Sequence, residues 1–114
     1  MAWYSARLAF ECFVGGRPVK GPRSYPFEER LVLFTGTSLN EVKQRARQYG
    51  VRSQHSYENA YGQTVSWKFV GVLDVMETVD PRPTNGAEIY SRFVSRSALK
   101  LVAKGRAARP DNFP

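Results

Sequence analysis

HSYENAYGQTVSWKFVGVLDVMETVD, residues 55–80, carries the reading of the fold. A polar, aromatic-rich turn runs directly into a long stretch of Val, Phe, Trp and Leu, which reads as one extended strand over 64–79. A strand of about 15 residues at ~3.3 Å per residue would span ~50 Å. A domain of this size has a radius of gyration of only about 13 Å and is about 35 Å across. Either the strand bends, with Gly71 as the natural bulge position, or one end projects and pairs with another chain. The second solution makes the protein a homodimer held through its long strands.

The first element raises the same question of length. Tyr4, Ala6, Leu8, Phe10, Cys12 and Val14 recur at period two, while Ser5, Arg7 and Glu11 punctuate the other face, and Gly15 and Gly16 end the strand. Residues 17–26 hold Pro18, Pro22 and Pro26 among basic side chains and read as a connector. Residues 29–35, ERLVLFT, are apolar on both faces, the pattern of a central strand covered on both sides. Ser38 and Glu41 then have capping-box spacing, followed by an apolar stripe of Leu39, Val42, Ala46 and Tyr49. Gly50 suits the left-handed residue that closes such a helix. Lys43, Arg45 and Arg47 lie off the stripe and read as a solvated outer face.

Beyond residue 80, DPRPTNG contains the Asn85–Gly86 pair favoured in tight turns. It predicts a hairpin into a fourth strand over 87–94, AEIYSRFV, where Glu88 would find a cross-strand partner such as Lys68. Residues 97–104 can form a short C-terminal helix. The expected fold is α+β. It is an antiparallel sheet of about four long strands in the order β-β-α-β-β, with one main helix packed on one face. The domain covers residues 1–95, and 96–114 form a basic helix or tail.

The chain has 114 residues, enough for one domain that buries roughly two-thirds of its unfolded surface. With 42% apolar and 13% aromatic residues it is too hydrophobic for a disordered chain. Its apolar runs fall far short of the ~20 residues of a membrane-spanning helix. The start, MAWYSARLAFE, sets Arg7 and Glu11 inside the apolar stretch without a basic leader, unlike a signal peptide. The expectation is a cytoplasmic protein with no membrane association. Of the net charge of +7, the stretch from Arg96 onward supplies +4, so more than half the excess sits in the tail. That distribution bears on encounter with acidic surfaces rather than on fold.

Residues for catalysis are scarce. Cys12 is the only cysteine and His55 the only histidine, which excludes a disulfide or a thiolate metal cluster within the chain. Cys12 lies on the apolar face of a strand, where free cysteine acts as a small hydrophobe rather than as a nucleophile paired with His55. Glu28 and Glu29 are neighbours on a strand and point to opposite faces, so they cannot act as a carboxylate pair. Gly15–Gly16 is not embedded in a phosphate-binding fingerprint. We therefore expect neither enzymatic activity nor a cofactor or metal.

Binding remains. Trp3, Tyr57, Tyr61, Trp67 and Tyr90 with Arg7, Lys68 and Arg92 could line one sheet face as a basic, aromatic surface for single-stranded nucleic acid such as RNA. The plainer use of those rings is core and cross-strand packing. Signatures of RNA-recognition and KH modules are missing.

Read together, WYSARLAFE (3–11), ERLVLF (29–34), HSYENAYGQTVSWKFVGVLDV (55–75) and EIYSRF (88–93) resemble an uncharacterised bacterial family called domain of unknown function 4288. The resemblance rests on the WYSA start, on Tyr57, Glu58 and Asn59 before a strand holding Trp67, and on Tyr90, Ser91, Arg92 and Phe93. It implies a bacterial source and a compact domain, and carries no mechanism with it. Residues 16–26 look longer here than the family pattern. The expected function is that of a small non-catalytic binding protein with a protein partner, of which toxin neutralisation is one concrete form. Nucleic-acid binding is the alternative. The candidate site is Tyr57, Glu58, Asn59, Trp67 and Arg92, with a plainer role for Glu58 and Asn59 in shaping the turn.

Overall fold

The first strand, β1 (Ala2–Val14), lies in the middle of the sheet. In the computed structural model, which describes residues 1–97, its two edges are taken by different partners. One edge pairs antiparallel with β3 (Phe27–Gly36) from Ala2 to Glu11, and with the two-residue β2 (Arg17–Pro18) at Phe13 and Val14. Gly15 and Gly16, with φ of 60° and 78°, make the tight turn into β2. The other edge pairs antiparallel with β5 (Thr64–Glu77), and β5 pairs in turn with β4 (His55–Glu58). The α-helix α1 (Leu39–Arg52) crosses one face of this sheet.

Alternation along β1 decides what is buried. Tyr4, Ala6, Leu8 and Phe10 point toward α1 and pack with Val42, Ala46 and Val75. Leu8, Phe10 and Val42 are fully buried, each contributing about 1.5–3 kcal/mol of burial free energy. At the β3 side the Arg30 guanidinium sits 4.1 Å from the Phe10 ring centre and roofs the core there.

β1 and β5 stay paired from Tyr4↔Glu77 to Val14↔Val65, so neither projects alone from the sheet. The molecule is longer than expected, 46 Å along its largest extent with a radius of gyration of 16.7 Å, and the pairing is irregular at two points. Arg7 faces Asp74 and Leu8 faces Val72, skipping Leu73; Ala9 faces Gly71 and Phe10 faces Phe69, skipping Val70. Two bulges thus bracket Gly71, the position expected to bend.

The α+β class, the antiparallel sheet and one main helix on one face are those expected, but among the described residues the order is β-β-β-α-β-β, with five strands rather than about four. Several elements differ in detail. The strand expected at the centre, β3, pairs only with β1 and forms an edge, with Leu31 51% exposed, because β1 gives its second edge to β5. The last strand pair is β4–β5, built from His55–Glu58 rather than from residues 87–94. The Asn85–Gly86 turn does form, with Ala87 N donating to Thr84 O at 2.9 Å, but only Gly86 has positive φ (84°). A hairpin turn of the I′ kind needs positive φ at both central residues. The chain is instead folded back across the second face of the sheet. There Asp80 accepts from Glu88 N at 2.7 Å, Tyr90 Oη donates to Asp74 at 3.0 Å, and the Ser5 hydroxyl donates to the Ile89 carbonyl. Lys68 consequently faces Glu11, not Glu88. Arg96 and Ser97 are helical, and the rest of the expected short helix and basic tail lies outside the described residues.

The helix start follows the capping box with one change. Ser38 Oγ accepts from Glu41 N at 3.2 Å, while the Glu41 carboxylate reaches the Thr37 amide and hydroxyl rather than Ser38 N. The helix ends later than expected. Gly50 is an interior helical residue, and Ser53 closes the helix, its N–H donating to Tyr49 O at 2.9 Å and its hydroxyl to the same carbonyl at 2.7 Å. Gly50 is needed for space: a Cβ there would run into the Phe69 ring.

Candidate functional site

Residues 59–63 join β4 to β5, and Asn59 organises them. Its Oδ1 accepts from the Tyr61 and Gln63 amides, both at 2.9 Å, and its Nδ2 donates to Gln63 Oε1 at 3.0 Å. Its main-chain N–H donates to Gln63 O at 2.9 Å, and Gly62 takes the left-handed conformation (φ 75°) that brings the chain round. Asn59 is therefore spent on holding the turn, as the plainer reading of that residue has it. Tyr61, 88% exposed, stands at the tip.

Cross-strand pairing then assigns the faces. His55 faces Trp67 and Tyr57 faces Val65, all on the side of the sheet that carries α1, but beyond the helix C-terminus. The His55 and Tyr57 rings stack at 6.2 Å between centres and 19° between planes. His55 Nδ1 donates to the Ser53 carbonyl at 3.2 Å, which fixes the imidazole. Tyr57 is 51% exposed, while Trp67 packs partly against the core. Ser56 and Glu58 point to the opposite face, where the Ser56 and Ser66 hydroxyls are 2.9 Å apart. Where β4 gives out, Gln54 takes its place, its Oε1 accepting from Phe69 N at 3.0 Å.

Of the five candidate residues, the hairpin brings Tyr57, Glu58, Asn59 and Trp67 together in sequence space, but only Tyr57 and Trp67 share a face. Arg92 is exposed and in no regular element. The residues just before it, Ile89 and Tyr90, are anchored at Ser5 and Asp74, toward the end of β1 and β5 away from Val14 and Val65. Among the described residues nothing joins Arg92 to the hairpin. His55 completes the aromatic cluster, a role its chemistry as a catalytic or metal-binding group does not suggest. Its spacing of two from Tyr57 is the signal that could have placed it there.

The basic aromatic sheet face does not assemble. Trp3, Arg7 and Lys68 lie on the face away from α1, whereas Tyr57 and Trp67 lie on the α1 side. Arg7 is engaged by Glu29 at 3.1 Å and Tyr90 by Asp74, so both groups are already partnered.

Cys12 and His55 occupy one row of the sheet, facing Trp67 from either side. Two strand spacings of about 4.8 Å separate them, with the indole between. Cys12 is buried, and burial pushes its thiol above the ordinary range. No group of three or more His, Cys, Asp or Glu able to hold a metal occurs among the described residues. No helix there is long and apolar enough to cross a membrane.

A family model described as a domain of unknown function (DUF4288) matches residues 3–91. No curated protein and no solved structure matches the chain.

Proposed function

Since this chain belongs to the DUF4288 family, we propose that it is a small, non-catalytic recognition module of the bacterial cytoplasm whose contact surface is the β4–β5 hairpin. The observation that carries this reading is the His55–Tyr57 stack beside Trp67, half open to solvent and held above a turn that Asn59 locks. Rigid aromatic groups with polar edges lose little conformational entropy on binding, and are favoured at the centres of protein interfaces. The partner on this reading is a folded protein, and toxin neutralisation is one form the role would take. The distance between Cys12 and His55 and the engagement of Arg7 and Tyr90 by their neighbours support recognition over chemistry.

The test compares affinity capture with tagged wild-type chain, Tyr57→Ala, His55→Ala and Arg92→Ala. A partner retained by Arg92→Ala and lost with Tyr57→Ala or His55→Ala supports the hairpin. Equal recovery with all variants refutes it.

A further inference from the structure

The free edge of β3 has the composition of a strand that is meant to be paired. Thr78 N donates to Trp3 O at 2.9 Å, so the main-chain groups of Trp3 point toward β5. Antiparallel alternation then turns those of every odd-numbered β1 residue the same way, and Cys12 N donating to Pro26 O at 2.7 Å fits the even-numbered set. On β3, the residues opposite Trp3, Ser5, Arg7 and Ala9 are Thr35, Leu33, Leu31 and Glu29, and these present their N–H and C=O groups away from β1. Arg45 occupies the Thr35 carbonyl. The outward groups of Glu29, Leu31 and Leu33 have no partner among the described residues.

Apart from Arg45 at the Thr35 carbonyl, the edge carries little of the usual protection. Residues 27–36 contain no Pro and no Lys. Its charges are consumed within the chain, Glu28 by Arg30 and Glu29 by Arg7, which leaves residues 31–34, LVLF, uncharged at the rim.

We propose that a second copy of this chain adds its β3 to this edge about a two-fold axis through Val32, making one continuous sheet across a homodimer. A two-fold axis normal to the sheet makes the same strand antiparallel to itself, and outward-pointing residues must then face outward-pointing ones, odd against odd. Charge excludes some of the registers this permits, and apolar matching chooses among the rest, since an axis through Leu33 would set Leu31 opposite the partner's Thr35 instead of the partner's Leu33. An axis through Glu29 or Arg30 sets a like-charged pair face to face, and one through Leu31 sets Glu28 opposite the partner's Phe34. An axis through Val32 sets Leu31 opposite the partner's Leu33 and Arg30 opposite the partner's Phe34, while Glu28 and Glu29 meet only Gly36 and Thr35 of the partner subunit. The strand that looks central in the sequence is central in the dimer. This inference is independent of the hairpin reading, because β4 lies at the other edge of the sheet.

The mass of the full chain in solution, by sedimentation, tests it together with a cross-link. The wild type is expected at twice 12.9 kDa. Leu31→Pro removes only an outward N–H, and Leu31→Lys places a charge on the rim; either is expected at the monomer mass with an unchanged far-ultraviolet spectrum. Val32→Cys is expected to form an intermolecular disulfide under mild oxidation, since a non-hydrogen-bonded antiparallel pair has Cα atoms about 4.5 Å apart, within disulfide range. Wild type, with Cys12 buried, is the cross-linking control. A monomeric wild type overturns the proposal and leaves the edge to a strand from another protein. A dimer that survives both Leu31 substitutions, or that yields no Val32→Cys cross-link, overturns it equally. Tyr57→Ala leaves the mass unchanged.

Discussion

Asn59 shows how one side chain can replace a stretch of regular hydrogen bonding. Its carboxamide satisfies the amides of Tyr61 and Gln63, which would otherwise depend on water. Asn59→Ala is expected to destabilise the domain by about 1 kcal/mol, the usual net worth of such bonds, and urea unfolding measures it. Asn59→Asp keeps the acceptor and is expected to lose less. Cys12 gives a second prediction. Its thiol is pushed up by burial, so the folded protein holds the proton more tightly than the unfolded chain. The linkage contribution is complete below the ordinary thiol range and is lost as pH rises through the folded value, so stability falls on the alkaline side. Native-state thiol labelling is expected to be slow and to accelerate only with denaturant; Cys12→Ser flattens the alkaline slope. Glu41 has the opposite sign. Hydrogen bonds from Thr37 hold its carboxyl below the usual range, so its contribution exists above the ordinary carboxylate range and is lost as acid protonates it.

At the scale of the elements, Gly50 separates two physical effects that usually travel together. Helix propensity alone says that Ala in an interior helical position gains about 1 kcal/mol over Gly. Here the Phe69 ring occupies the space of the missing Cβ, so Gly50→Ala is expected to cost about 1–3 kcal/mol through overpacking. A rise in thermal midpoint would contradict that. The same residue marks the limit of what could be read from the sequence. The apolar stripe and Ser38 cap located α1 because both signals are local. Gly50 looked like a helix stop because its real constraint comes from a strand far along the chain. β1 and β5 were legible from their own alternation. Whether β3 lies inside or at an edge depends on which strand takes the remaining edge of β1, and no pattern within residues 27–36 encodes that. Residues 87–94 have the alternation of a strand, but side chains of Ser5, Asp74 and Asp80 take up its polar groups. In the candidate site, Tyr57 and Trp67 were placed together by period-two logic once Asn59 made the turn. Arg92 was not, because its position follows from that fold-back.

At the scale of the whole molecule, the spread of the candidate aromatic and basic groups over both faces of the sheet bears on nucleic acid. With Trp3, Arg7 and Lys68 on one face and Tyr57 and Trp67 on the other, the described residues do not bring these groups into one groove that stacks bases along a basic track. A fluorescent single-stranded RNA is expected to bind through charge alone. Its affinity falls steeply with salt and is unchanged by Trp67→Ala. Salt-resistant binding that depends on Trp67 would reverse this conclusion.

The central position of β1 also has a consequence during synthesis. β1, with Leu8 and Phe10, leaves the ribosome well before β5, which closes its second edge and is encoded roughly 60 residues later. At about 5–20 residues per second the nascent chain waits on the order of several seconds with that edge unmet. Chains stalled before residue 64 are therefore expected to be cut readily by protease and held by ribosome-associated chaperones, and chains stalled with β5 fully emerged to resist cleavage.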